Sequence, residues 1–155
     1  MKAAVIYYSK SGTTGKIAEK IKKAFDADLF FVEPQKEYGN YISAIIRVAG
    51  EKLAKKAPVL KTEVADFSSY NTVFIGFPVW YNTLPGHLQE YIGKADLAGK
   101  RVIPFATAGS NGKESSLKTL HKLCPKSNIT DYFFTSLTKK ADVDKWLQSI
   151  REDGN

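Results

Sequence analysis

A chain of 155 residues, 43% hydrophobic and 25% charged, has the size and balance of a single globular domain able to bury about 70% of its unfolded surface. No apolar run approaches the ~20 residues of a membrane helix, and the lone Cys124 excludes an intramolecular disulfide or thiolate metal cluster, so a reducing cytoplasm is the expected setting. The 23 Lys and Arg exceed the 16 Asp and Glu by +7, yet the lysines are scattered over helix faces and no nucleic-acid motif accompanies them, so the charge implies acidic partners rather than specific nucleic-acid binding.

The elements alternate along the chain. A strand over about Lys2–Tyr8 opens it; one lysine and six apolar residues do not make a signal peptide. A helix with Ile17, Ala18, Ile21, Ala24 and Phe25 at helical spacing follows from about Thr14. Asp28–Glu33 is a second strand closed by Pro34, and Asn40–Lys56 an amphipathic helix. Thr72–Phe77 is almost wholly apolar, as a strand covered on both faces of a parallel sheet must be. Leu84–Lys94 is helical, and Arg101–Ala106 is a fourth strand despite Pro104, which has no N–H for a ladder. A helix over Glu114–Leu123, a strand over Thr130–Ser136 and a C-terminal helix complete the order. The last carries Val143, Trp146, Leu147 and Ile150 on one stripe, which assigns Trp146 to the core; Cys124 is read as a buried structural thiol, and His87 and His121 as helix residues rather than catalysts. Five strands alternating with helices predict one α/β domain, a doubly wound parallel sheet with right-handed crossovers.

Ligands of such sheets bind beyond the carboxyl ends of the strands, near the point where strand order reverses. After the first strand, Ser9-Lys10-Ser11-Gly12-Thr13-Thr14 is a hydroxyl-rich turn opening a helix, where backbone N–H groups and the helix dipole favour a phosphate. The alternative is a well-capped helix. Neither the P-loop spacing nor the Gly-x-Gly-x-x-Gly fingerprint is present. After the third strand, Pro78-Val79-Trp80-Tyr81-Asn82 sets two adjacent aromatics in a proline-bracketed loop, which suits a flat ligand or, alternatively, packing against neighbouring helices or a subunit interface. After the fourth, Thr107-Ala108-Gly109-Ser110-Asn111-Gly112-Lys113 lets backbone approach a ligand closely. A phosphate cradle, an aromatic plate and a backbone edge reader together suit a phosphorylated planar heterocycle, for which flavin mononucleotide (FMN) is the best match.

These three loops also carry a family resemblance. Tyr7–Thr14, Ile75–Tyr81 and Val102–Gly112 resemble the phosphate loop and the two flavin loops of flavodoxins, and the likeness runs over essentially the whole chain. It implies strand order 2-1-3-4-5, the short form of the fold and noncovalent FMN. By that resemblance Ser9, Lys10, Ser11, Gly12, Thr13 and Thr14 hold the 5′-phosphate. Pro78, Val79, Trp80, Tyr81 and Asn82 line the ring and ribityl chain, with Trp80 or Tyr81 stacking. Thr107, Ala108, Gly109, Ser110 and Gly112 meet the pyrimidine edge. The function implied is a one- or two-electron carrier, monomeric or weakly dimeric, with a protein redox partner that the basic charge suggests has an acidic surface. The rivals are an FMN-dependent NAD(P)H:quinone-type oxidoreductase and a flavodoxin-like regulatory module with weak or no flavin binding. Many flavodoxins have Asn where Thr13 stands, and electron-carrying members are commonly acidic.

Overall fold

The computed structural model describes residues 1–34 and 60–153, so the helix expected over Asn40–Lys56 lies outside the described residues. Strands β1 (Ala3–Tyr7), β2 (Asp28–Phe31), β3 (Thr72–Pro78), β4 (Arg101–Ala108), β5 (Asn128–Ile129) and β6 (Phe133–Ser136) form one parallel sheet. The helices are α1 (Thr13–Phe25), α2 (Gly86–Lys94), α3 (Lys113–Leu123) and α4 (Val143–Asp153). Strand order is β2-β1-β3-β4, with β5 and β6 both paired to β4. This is the expected flavodoxin-like architecture, its fifth position filled by two short pieces instead of one strand.

Alternation along the strands builds a core on each face. Ala4, Ile6, Tyr8, Val73, Ile75 and Phe77 share one cluster with Leu88 and Ile92 of α2 and Leu120 of α3. Ala3, Val5, Phe74, Ile103 and Phe105 share the other with Ile17 and Ile21 of α1 and Leu147 and Ile150 of α4. Trp146 joins that second core, its ring 4.7 Å from Phe133 and its indole N–H donating to the Asp131 carbonyl at 2.8 Å. Cys124 is buried, and burial alone pushes its thiol up to about 11, so it is an inert core residue.

Register explains both the split last strand and the proline in β4. The pairs Val102↔Ile129 and Phe105↔Phe133 differ by one residue, so the fifth position carries one extra residue between β5 and β6. Asp131, at φ 54°, sits in that bulge and is held by Arg101 at 2.8 Å. The Val102 carbonyl accepts from Thr130, whereas Thr107 accepts from Val79, so even-numbered residues of β4 face the fifth position. Pro104 therefore lacks its N–H on the side where the ladder is already interrupted. No helix among the described residues is long and apolar enough to cross a membrane.

Candidate functional site: three loops at the carboxyl edge

The first loop is built around an open helix start. Tyr8 donates its N–H to Gly76, the chain turns through Ser9–Gly12, and α1 begins behind Gly12 at φ 87°. The first intrahelical bond runs from Lys16 N–H to the Gly12 carbonyl at 2.9 Å, so the helix supplies no acceptor for the N–H groups of Gly12, Thr13, Thr14 and Gly15. Ser9 Oγ takes the Gly15 N–H at 3.1 Å. The capping residue is Gly12, with no side-chain cap, and the first turn has no acidic side chain. The Ser11 and Thr13 hydroxyls stand 3.3 Å apart at the exposed rim. Three backbone donors, two rim hydroxyls and a positive dipole end suit an oxyanion better than the capped-helix alternative does.

The second loop separates its two aromatics. Trp80 and Thr83 exchange backbone hydrogen bonds of 3.0 and 3.1 Å around Tyr81 and Asn82, whose φ angles are 51° and 59°. Positive φ at both central residues is the geometry of a type I′ turn, uncommon for a tyrosine and more so without glycine. The tight reversal drives Trp80 inward, where it is buried with its ring 5.7 Å from Tyr8 in an edge-to-face contact. Tyr81 stays 50% exposed. The loop thus presents one aromatic face, and it belongs to Tyr81.

In the third loop Thr107 and Ala108 end β4, Gly109 and Ser110 are exposed, and Gly112 starts α3 at φ 109°. A Cβ on Gly112 would lie 2.3 Å from Val79 Cγ1 and 3.3 Å from Asn82 Cα. Only glycine allows the second and third loops to touch there. The buried Ser116 hydroxyl donates to the Gly112 carbonyl at 2.6 Å and shares a 2.9 Å hydrogen bond with the Tyr132 hydroxyl. Burial pushes the Tyr132 phenol up to about 12, so it remains a proton donor at physiological pH. The Lys113 ammonium lies 5.9 Å from the centre of that ring.

Thr107 ties all three loops together. Its hydroxyl is 2.8 Å from that of Thr14, which is buried, and its carbonyl accepts the Val79 N–H at 2.8 Å. The expected residues from Ser9 to Thr14, Pro78 to Asn82, and Thr107 to Gly112 thus meet at one end of the sheet. Within that set, the Thr14 hydroxyl is engaged with Thr107, and Val79 and Trp80 are buried. Periodicity gave no signal for three supporting residues: Ser116, Tyr132 and Tyr8. The Tyr8 ring floors the site between Trp80 and the buried His87, whose ring centre lies 4.4 Å away. A hydroxyl four residues into α3 was the only available hint of Ser116. Among the described residues no group of His, Cys, Asp and Glu is arranged to hold a metal ion.

Comparison with solved structures returns proteins of the same architecture. A candidate flavoprotein of Bacteroides uniformis is 30% identical, with TM-score 0.81 and 97% of each chain covered. Another from Bacteroides eggerthii is 28% identical at the same TM-score, covering 99% of this chain and 98% of its own. A Lactobacillus acidophilus flavoprotein, crystallised in complex with FMN, shares the fold at 21% identity and TM-score 0.74, over 94% of this chain and 97% of its own. Comparison with curated proteins gives no match. The flavodoxin family model matches residues 2–150, nearly the whole chain, and the protein is a member of the flavodoxin family.

Proposed function

We propose that this protein binds FMN noncovalently and serves as an electron-transfer protein. The observation that carries the reading is the convergence on Thr107, which sets the open start of α1 and the presented Tyr81 side by side. The N–H groups of Gly12, Thr13 and Thr14, with the hydroxyls of Ser11 and Thr13, hold the phosphate; Ser9 and Lys10 shape the turn. Tyr81 stacks on the ring, Pro78, Val79 and Asn82 line it, and Trp80 backs the loop from the core. Backbone groups of Thr107, Ala108, Gly109, Ser110 and Gly112 read the pyrimidine edge.

Bound FMN supplies the redox chemistry, taking up and releasing one or two electrons. The protein orients the ring, screens it from water and sets the surrounding charge. Residues 78–86 and 107–113 contain no carboxylate, and Lys113 stands at their border, so the site does not oppose negative charge on a reduced ring. These loops also hold no cysteine, histidine or acid for covalent or acid–base catalysis, and the neighbouring His87, in the first turn of α2, is wholly buried.

FMN titration followed by absorbance and flavin fluorescence tests the reading, with a saturable one-to-one complex expected. Protein that stays colourless would overturn it and favour the regulatory module. Steady-state oxidation of NAD(P)H with a quinone, without a partner reductase, would instead make the protein an oxidoreductase.

A further inference from the structure

We propose that the bulge at Asp131 serves the flavin: it aims Tyr132, a positioning residue that fixes the third loop through Ser116 and the Gly112 carbonyl, an inference that rests on the FMN reading. In an unbroken strand, residues two apart share a face. Here Ile129, Tyr132 and Phe134 pack against the core beneath α2 and α3, whereas Phe133 belongs to the core beneath α1 and α4. The extra residue between β5 and β6 exchanges the faces; without it Phe133 would share the face of Ile129, and Tyr132 would point to the opposite side. Asp131 holds the bulge at φ 54°, its carboxylate on Arg101 at 2.8 Å and its carbonyl on the Trp146 indole N–H at 2.8 Å. The result is a phenol aimed at the first turn of α3.

Ser116 receives that phenol. Its hydroxyl is wholly buried, 2.9 Å from the Tyr132 hydroxyl, 2.6 Å from the Gly112 carbonyl and 2.9 Å from that of Lys113. Each hydroxyl has one proton, and the two carbonyls only accept. The Ser116 proton therefore goes to the carbonyls, and the Tyr132 proton completes the chain. A sealed hydroxyl must be bonded, and return to the carbonyl four residues back would satisfy Ser116 by itself. The Tyr132 hydroxyl behind it adds a second donor that polarises that bond. The Gly112 carbonyl also accepts the Ser116 N–H at 3.0 Å, so two donors fix its peptide. Movement there cannot stay local, because the glycine has no room for a Cβ against Val79 and packs on the Asn82 backbone. Tyr132 itself is confined by the Phe134 ring at 6.3 Å and the Lys113 ammonium at 5.9 Å. One hydroxyl outside both flavin loops thus fixes the point where they touch, and with it the backbone they offer to the pyrimidine edge.

Tyr132→Phe and Ser116→Ala test the proposal. Tyr70→Phe is the control, since it breaks another tyrosine hydrogen bond, 2.7 Å to Asp28, at the far edge of the sheet. Isothermal titration should show FMN affinity falling about fivefold in Tyr132→Phe and about tenfold in Ser116→Ala. The double variant should match Ser116→Ala alone, because the phenol acts only through that serine. With saturating FMN carrying carbon-13 in its two pyrimidine carbonyls, Tyr132→Phe should move both carbonyl signals while the phosphorus signal stays in place. A purely structural role would lower unfolding stability and leave the carbonyl signals unchanged, as Tyr70→Phe should. Unchanged affinity or unchanged carbonyl signals in Tyr132→Phe overturns the proposal, as does a loss of equal size in Tyr70→Phe or full additivity in the double variant. A wild-type chain that takes up no FMN overturns the FMN reading and this inference with it, whereas failure of the variants alone leaves that reading standing.

Discussion

The hydroxyls of Thr14 and Thr107 lie 2.8 Å apart although 93 residues separate them, and this one contact joins the start of α1 to the end of β4. Thr14 is buried, so Thr107→Val leaves its hydroxyl without that partner and should destabilise the fold by about 1–2 kcal/mol. Thr14→Val/Thr107→Val together should cost less than the two single changes summed. Urea unfolding of all four proteins checks both statements.

Gly112→Ala combines a φ of 109° with a Cβ 2.3 Å from Val79 Cγ1, so either the second loop or α3 must shift. FMN affinity should fall at least about tenfold, or about 1.4 kcal/mol. Val79→Ala added to it should restore only part of the loss, because the backbone conformation remains unfavourable. Isothermal titration with FMN measures both variants.

Tyr81 occupies a left-handed conformation, at φ 51°, that is strained for a tyrosine. Asparagine tolerates that conformation better, so Tyr81→Asn should raise unfolding stability by roughly 0.5–1 kcal/mol while FMN binding weakens. Thermal unfolding without cofactor, set beside FMN titration, reads the two opposite effects. A variant that loses stability and keeps its affinity would contradict the assignment of Tyr81 as the ring-stacking residue.

The absence of carboxylates from residues 78–86 and 107–113 predicts a less negative potential for the second electron than acidic flavodoxins show. Lys113→Glu should make it more negative by an amount of order 1 kcal/mol, a few tens of millivolts. Potentiometric titration decides; a wild-type value at or below those of the acidic carriers would refute the expectation.

Tyr132 predicts behaviour in alkali. Burial raises its folded pKa to about 12 against an ordinary value of 10, so its contribution is complete below pH 10 and is lost as pH rises toward 12. The amount at stake is about 3 kcal/mol. Tyr132→Phe should unfold less steeply with pH over that interval, although less stable at neutral pH for want of its bond to Ser116. Denaturant midpoints taken across the interval provide the comparison.

The elements and the three loops were legible in the sequence because each is a local pattern. Ile17 and Ile21 mark the buried stripe of α1, and the unbroken apolar run of β3 marks a strand covered on both faces. Trp80 and Tyr81 were indistinguishable, since adjacency says nothing about which side chain a type I′ turn sends inward. Pro104 looked like an objection to β4. It became intelligible only beside the bulge at Asp131, which comes from a segment more than twenty residues away.

Composition and periodicity by themselves determined a parallel α/β sheet, a hydroxyl-rich turn between its first strand and first helix, and a basic net charge. Those features follow from short-range preferences of backbone and side chain. Tertiary structure alone decided that Thr107 binds the loops together and that Gly112 admits their contact. Such relations depend on strand order and register, which bring residues far apart in the chain to one edge.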